Sequence, residues 1–307
     1  MGSVGIILNY ALLYGAILLI GALSAYLCER VGIINIGIDG MMCFGAVFYG
    51  IFSSPKLGLV NMGDFGIVFA ILLTMIATMI VGAMHAYATI NLKSNHVISG
   101  AAINLIGLAF AAFINAPLGQ TLYGTSRLES GFNDFLFIGN SIYGSSIIMF
   151  CLAILVAIAI YVVINKTKVG LRCIAIGENP GSVDSQGINV ICYQWVVVLL
   201  SAALAGFAGG LFLFNIKIFQ GNTQGLGYLA LAILIIGAWK AEWIIVASIV
   251  FALFTSLSMS NILTNIGFPK ELAYSMPYII TTIMLVFFSK WVRPPEHDGI
   301  PYDKNDR

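Results

Sequence analysis

Asn35 and Asp39 lie about one helical turn apart in an otherwise apolar stretch, Glu29-Arg-Val-Gly-Ile-Ile-Asn-Ile-Gly-Ile-Asp-Gly-Met-Met-Cys-Phe-Gly45. An amide donates and accepts hydrogen bonds and a carboxylate accepts them, so the pair could hold a polar solute. A carboxylate at the bilayer centre costs at least about 2.5 kcal/mol on insertion scales, and therefore takes a partner or a cavity. Asn35 is expected to bind solute. Asp39 has two readings. The favoured one makes it the N-cap of a helix beginning at Met41, accepting from that helix's free backbone N–H groups. The other makes it a pathway residue that shapes the broken backbone. Glu29 and Arg30 are expected at the inner membrane interface, either as a solvated, snorkelling pair or as a salt bridge tying the break to the cytoplasmic face.

A second polar break reads Gln220-Gly-Asn-Thr-Gln-Gly-Leu-Gly227, and its Asn222, Thr223 and Gln224 are further candidates for solute contact. A third candidate region is the polar loop 165–191. There Asn179 can cap a short helix, Pro180 suits its first position, and Gly187 can end it. Such a helix on a membrane surface is a docking ridge for a soluble partner. His85 and His96 have no carboxylate near them in sequence, and structural roles are expected for both.

Side chains at membrane depth must be carried on helices, because lipid offers no partner to free backbone N–H and C=O groups. Residues 4–27 carry no charge and suffice to span a bilayer, whereas 41–52, after the break, are too short. The same order of span, break and short helix recurs at 192–216, 217–227 and 228–239. Runs at 65–90, 97–115, 142–164, 243–262 and 272–288 bring the total to roughly nine spans. Glycine-interrupted segments at matching places in two halves are the sequence pointer to a transport site.

Lys and Arg collect on the inner side of membrane proteins. Placing 165–191 inside and alternating outward puts Arg30, Lys93, Lys166, Lys168, Arg172, Lys240, Lys290, Arg293, Lys304 and Arg307 there. Lys56, Arg127, Lys217 and Lys270 fall outside, so ten of the 14 basic residues are inside. The N-terminus is then outside and the C-terminus inside. The first break faces in and the second out, which makes the halves an inverted repeat. The outside loop 117–141, with Tyr123, Arg127, Glu129 and Asp134, is expected to meet a partner or close the outer mouth.

Sixty per cent of the 307 residues are hydrophobic and 9% charged, against roughly 25% charged in a soluble domain. The chain therefore reads as one all-α polytopic domain, 1–307, with a cytoplasmic tail at 289–307. A net charge of +1 argues against nucleic acid as a partner. No cleavable signal fits the N-terminus, which lacks a basic region before a run too long for a signal. The five cysteines form no CxxC pair and are expected to be small apolar fillers. Gly206-xxx-Gly210, one turn after Ala202, lets helices approach closely, within the subunit or at a subunit interface. No GxxxxGK[ST], HExxH or GxSxG occurs, so no catalysis, cofactor or metal is expected. ATP-driven movement would need another chain.

The 29–42 stretch resembles the signature of permease subunits of bacterial ABC nucleoside importers, relatives of ribose and branched-chain amino-acid permeases. The resemblance continues at 95–104 (Asn-His-Val-Ile-Ser-Gly-Ala-Ala-Ile-Asn), 169–180, 187–190, 205–210, 225–232 and 299–303, nearly the whole chain in order. It departs at Asp39, where the family usually has Glu, and at Val183-Asp184, where it often has two alanines. The resemblance implies a bacterial cytoplasmic-membrane importer in which this chain and a second homologous permease form the pathway. A cytoplasmic ATP-binding subunit would drive it, and an extracellular lipoprotein would deliver the nucleoside. A simple sugar such as ribose is the alternative solute. Asn104, which closes the 95–104 stretch, joins Asn35, Asp39, Asn222, Thr223 and Gln224 on the expected pathway. Gly170, Arg172, Glu178, Asn179, Pro180 and Gly187 would form the ATPase-coupling loop.

Overall fold

Among the described residues, seven helices are long and apolar enough to cross a bilayer, and two further apolar helices are shorter. The computed structural model describes residues 3–53, 65–115, 122–123, 144–216, 218–260, 262–265, 267–288 and 292–304. The long helices are α1 (Ser3–Glu29), α3 (Phe65–Ala86), α4 (His96–Asn115), α5 (Gly144–Lys166), α8 (Val190–Ile216), α10 (Ala241–Met259) and α12 (Lys270–Phe288). The short apolar ones are α2 (Ile38–Ser53) and α9 (Leu226–Ile236), where the sequence expects them. Helices α6 (Lys168–Glu178), α7 (Pro180–Ser185) and α11 (Ile262–Asn265), with a π-helical turn at Tyr87–Asn91 continuing α3, complete the described set. A two-residue antiparallel bridge pairs β1 (Leu122–Tyr123) with β2 (Ile218–Phe219). Most of loop 117–141, with Lys56, Arg127, Lys217, Lys290 and Arg307, lies outside the described residues.

Lipid tails are as apolar as leucine, so these helices associate by close packing and by hydrogen bonds rather than by a hydrophobic drive. Helices α1 and α8 cross antiparallel at a reciprocal serine pair. Ser24 Oγ donates to Ser201 O at 2.7 Å, and Ser201 Oγ to Ser24 O at 2.8 Å. Farther along, Gln194 Nε2 donates to Val31 O at 3.2 Å. Helix α8 also lies antiparallel to α3, with Gly206 against Thr78, Gly82 against Ala202, and Trp195 Nε1 donating to Asn91 Oδ1 at 3.0 Å. Gly206 and Gly209 leave room for Thr78 and for the backbone of Met42, while Gly210 faces Tyr49 at ordinary distance. The small face of α8 thus packs inside the subunit.

Neighbours repeat between the halves. Helix α10 packs on α1 as α3 does on α8; α9 packs on α1 as α2 does on α8; α9 meets α12 as α2 meets α4. Because α1 and α8 run in opposite directions, this is the inverted repeat with broken helices that the sequence points to.

The loop 165–191 holds two helices where the sequence shows signals for one. Thr167 caps α6, its Oγ1 accepting from Gly170 N at 3.2 Å, and Gly170 packs against the Ile164 backbone with no space for a side chain. Gly170, Cys173, Ile176 and Gly177 form the buried stripe of α6. Asn179 Oδ1 accepts from Ser182 N at 3.0 Å, Pro180 opens α7, and Gly187 adopts φ +79° beyond it.

Candidate functional site

The N-termini of α2 and α9 meet inside the bundle. Asp39, in the first turn of α2, accepts from Gly227 N at 2.9 Å and from Thr223 Oγ1 at 2.8 Å through one carboxylate oxygen. It therefore caps α9, not its own helix as the sequence suggests. Local capping signals name a residue's own helix, whereas this acceptor reaches across the repeat. Gly227 sits directly on the Asp39 backbone, where any Cβ would overlap.

The start of α2 is capped instead by Asn104 of α4, whose Oδ1 accepts from Gly40 N at 2.7 Å. Asn104 Nδ2 donates to Ile36 O at 3.0 Å and to Tyr228 Oη, on α9, at 2.9 Å. Gly100, Asn104 and Gly107 share one face of α4. A Cβ on Gly40 would lie 2.6 Å from Asn104 Cα, and one on Gly107 2.8 Å from Gly40 O. Thus α4 holds α2, α2 holds α9, and α9 returns to α4. Each half-helix end carries partial positive charge, and here a carboxylate and an amide oxygen answer the two ends.

Asn35 is fully buried in the break. Its Nδ2 reaches Met41 Sδ at 3.5 Å, and its Oδ1 has no hydrogen-bond partner among the described residues. Thr223 is buried with Asp39. Asn222 and Gln224 are exposed, and Asn222 Oδ1 accepts from Gln224 N at 3.1 Å. Tyr278 Oη donates to Gln224 O, and Tyr228 is 48% exposed beside it. Sequence reasoning missed Tyr228, Tyr278 and Gly107. Only Gly107 had a signal, the glycine–asparagine–glycine spacing on α4.

Glu29 and Arg30 are neither solvated nor a simple interface pair. Glu29 is 6% exposed and accepts from Trp239 Nε1 at 2.7 Å, while Arg30 donates to Trp239 O and lies over the Tyr26 ring. They clasp the far end of α9, where Ala238 and Trp239 take left-handed φ values of 50° and 52°. His85 joins the same break to its neighbours, with Nδ1 2.9 Å from Ser99 Oγ and Nε2 3.3 Å from Ile34 O.

Of the loop residues, Gly170 forms the α5–α6 elbow and Arg172 donates to Tyr193 Oη at 2.8 Å. Glu178 Oε2 accepts from Glu296 N at 3.4 Å. Beside α7 lies a cavity of about 430 Å³, walled by Glu178–Gly181 on one side and by Glu296, His297 and 300–303 on the other.

In that tail, burial pushes the Asp298 carboxyl up to about 7 against an opposing bond from Gly299, with Glu29 facing it; burial also holds the His297 imidazole below its usual value. A raised carboxyl binds its proton more tightly in the docked tail than in the free one. Its contribution to docking is therefore greatest at low pH and is lost as pH rises to about 7. His297 acts oppositely, but only below its ordinary 6.5. Intrinsic-rate-corrected hydrogen exchange of the 296–299 amides should thus speed up between about pH 6.5 and 7.5, and Asp298→Asn should remove most of that change. Equal pH dependence in both proteins would refute it.

Two opposed half-helices, held end to end by polar side chains in an otherwise apolar bundle, define a polytopic, broken-helix membrane permease. The chain belongs to the family described as branched-chain amino acid transport system / permease component, which matches residues 7–288. The nucleoside ABC transporter permease protein NupC of Lactococcus lactis is 31% identical over 321 residues, covering 99% of each chain. The guanosine ABC transporter permease protein NupQ of Bacillus subtilis is 30% identical over 324, covering 98% of each. An uncharacterized MG121 homolog of Mycoplasma pneumoniae is 34% identical over 295, covering 94% of each. No solved structure matches.

Proposed function

We propose that this chain is a permease subunit of an ATP-driven nucleoside importer in a bacterial cytoplasmic membrane. A second, homologous permease subunit completes the pathway, a cytoplasmic ATP-binding subunit drives it, and an extracellular lipoprotein delivers the solute. The chain itself carries out no catalysis.

The observation that carries this reading is the joint of α2 and α9 beside the exposed Asn222, Gln224 and Tyr228. Lipid does not tolerate irregular polar backbone at membrane depth, so this face needs an aqueous path or a protein neighbour. A second permease facing it provides both. A nucleoside offers ribose hydroxyls and a base edge to amide side chains, and a flat base to tyrosine rings. The names of two full-length relatives specify nucleoside and guanosine. The excess of Lys and Arg supports an N-terminus outside and a C-terminus inside, with α7 toward the ATPase. On this reading Glu178, Asn179, Pro180 and Gly187 present the coupling ridge, and Gly170 and Arg172 brace it from behind.

Asn35 Oδ1 is the buried acceptor left for solute. Asn35→Ala should lower uptake, normalised to assembled complex, by roughly ten- to a hundredfold, the effect of losing about 1–3 kcal/mol. Normal uptake would move the solute path to Asn222–Gln224.

The reading is tested by reconstituting the chain with its partner subunits and binding protein in proteoliposomes. Uptake of labelled guanosine should require ATP and the binding protein, and excess unlabelled nucleoside should compete where ribose does not. Uptake without ATP, or competition by ribose alone, would overturn it.

A further inference from the structure

The C-terminal segment 292–304 lies across the same end of the molecule as α6, α7 and the first break, and it is stitched to each of them. His297 N donates to Gly177 O at 2.9 Å, at the end of α6, and two residues later Gly299 N donates to Gly32 O at 3.1 Å, in the break. Glu296 N reaches Glu178 Oε2, Asp303 pairs with Lys93 of the α3–α4 turn, and Lys304 pairs with Asp184 of α7 at 3.5 Å.

The joint has no slack. A Cβ on Gly177 would lie 2.6 Å from Arg30 O, and one on Gly299 2.6 Å from Ile34 Cδ1. Gly32 and Gly299 both adopt left-handed φ, 78° and 79°, which glycine alone takes freely. Beyond the joint, Ile34 O contacts His85 and Asn35 follows directly. The segment also forms the wall of the cavity opposite α7, so a protein seated on α7 touches both.

We propose that residues 292–304 are a coupling strap that fixes α6 and α7 to the first break, so that a push on α7 moves Gly32–Asn35 instead of being absorbed in the 165–191 loop. This rests on the ATP-driven reading above. It assigns the tail a transmission role that neither its polarity nor its position at the end of the chain suggests.

The test uses the assembled complex in proteoliposomes, reading ATP hydrolysis and nucleoside uptake from the same sample. In a background without native cysteines, Lys93→Cys/Asp303→Cys allows the strap to be released and then tied again by a short bis-thiol linker. Released, the complex should hydrolyse ATP at close to the parental rate while uptake per ATP falls at least about fivefold, and bridging should restore the ratio. The charge exchange Lys93→Glu/Asp303→Lys should likewise recover the coupling that Lys93→Glu loses. An unchanged ratio in the released pair, in Lys93→Glu and in Gly299→Pro, which removes the N–H that Gly32 O accepts, would overturn the strap. Absence of ATP-dependent uptake in the parental complex would instead overturn the importer reading, so the two failures are distinguishable.

Discussion

Replacing Asp39 with alanine should reduce uptake by at least about thirtyfold while asparagine at the same position loses less than about tenfold. Alanine leaves Gly227 N and Thr223 Oγ1 without an acceptor in a buried joint. Each unsatisfied donor costs about 1–3 kcal/mol, so the lower bound for two, about 2 kcal/mol, already corresponds to roughly the factor given. Asparagine keeps an oxygen where both donors point and gives up only the charge assistance, roughly 1 kcal/mol. Gly227→Ala should be as damaging as Asp39→Ala, because its Cβ would overlap the Asp39 backbone. Uptake by membranes matched for assembled complex decides it, and equal losses for alanine and asparagine at 39 would make the charge, not the cap, the essential property.

The second large effect is expected at Asn104. Leucine there would strip the cap from Gly40 N, the donor from Ile36 O and the partner from Tyr228 Oη in one step. Uptake should fall at least about tenfold from the two buried backbone groups alone. Because Asn104 and Asp39 lock one joint, the double variant should fall short of the summed losses by about 0.5–3 kcal/mol. Strict additivity in a double-mutant cycle would mean that the two caps act separately.

The sequence displayed what is local. Charge-free runs mark the long helices, the short runs after each break mark α2 and α9, and Asn179, Pro180 and Gly187 punctuate α7 as they do in the fold. It concealed what is distant. Asp39 finds its donors 184 and 188 residues away, and Glu29 meets Trp239 210 residues away; neither spacing leaves a trace in a local pattern. Helix α6 was hidden because its buried stripe is two glycines, a cysteine and an isoleucine between charged neighbours. The strap was hidden because its principal ties to Gly177 and Gly32 run backbone to backbone, which any residue can supply.

That the solute passes the joint of α2 and α9 is tested most directly by thiol protection at Tyr228. In a chain with its five native cysteines replaced, Tyr228→Cys is reacted with a small thiol reagent in the assembled complex. Guanosine presented with the binding protein should slow that reaction and leave a cysteine at the exposed Phe287, on α12, unaffected. Reaction at Tyr228→Cys that proceeds at one rate with and without nucleoside, in a complex shown to transport, would place the pathway elsewhere.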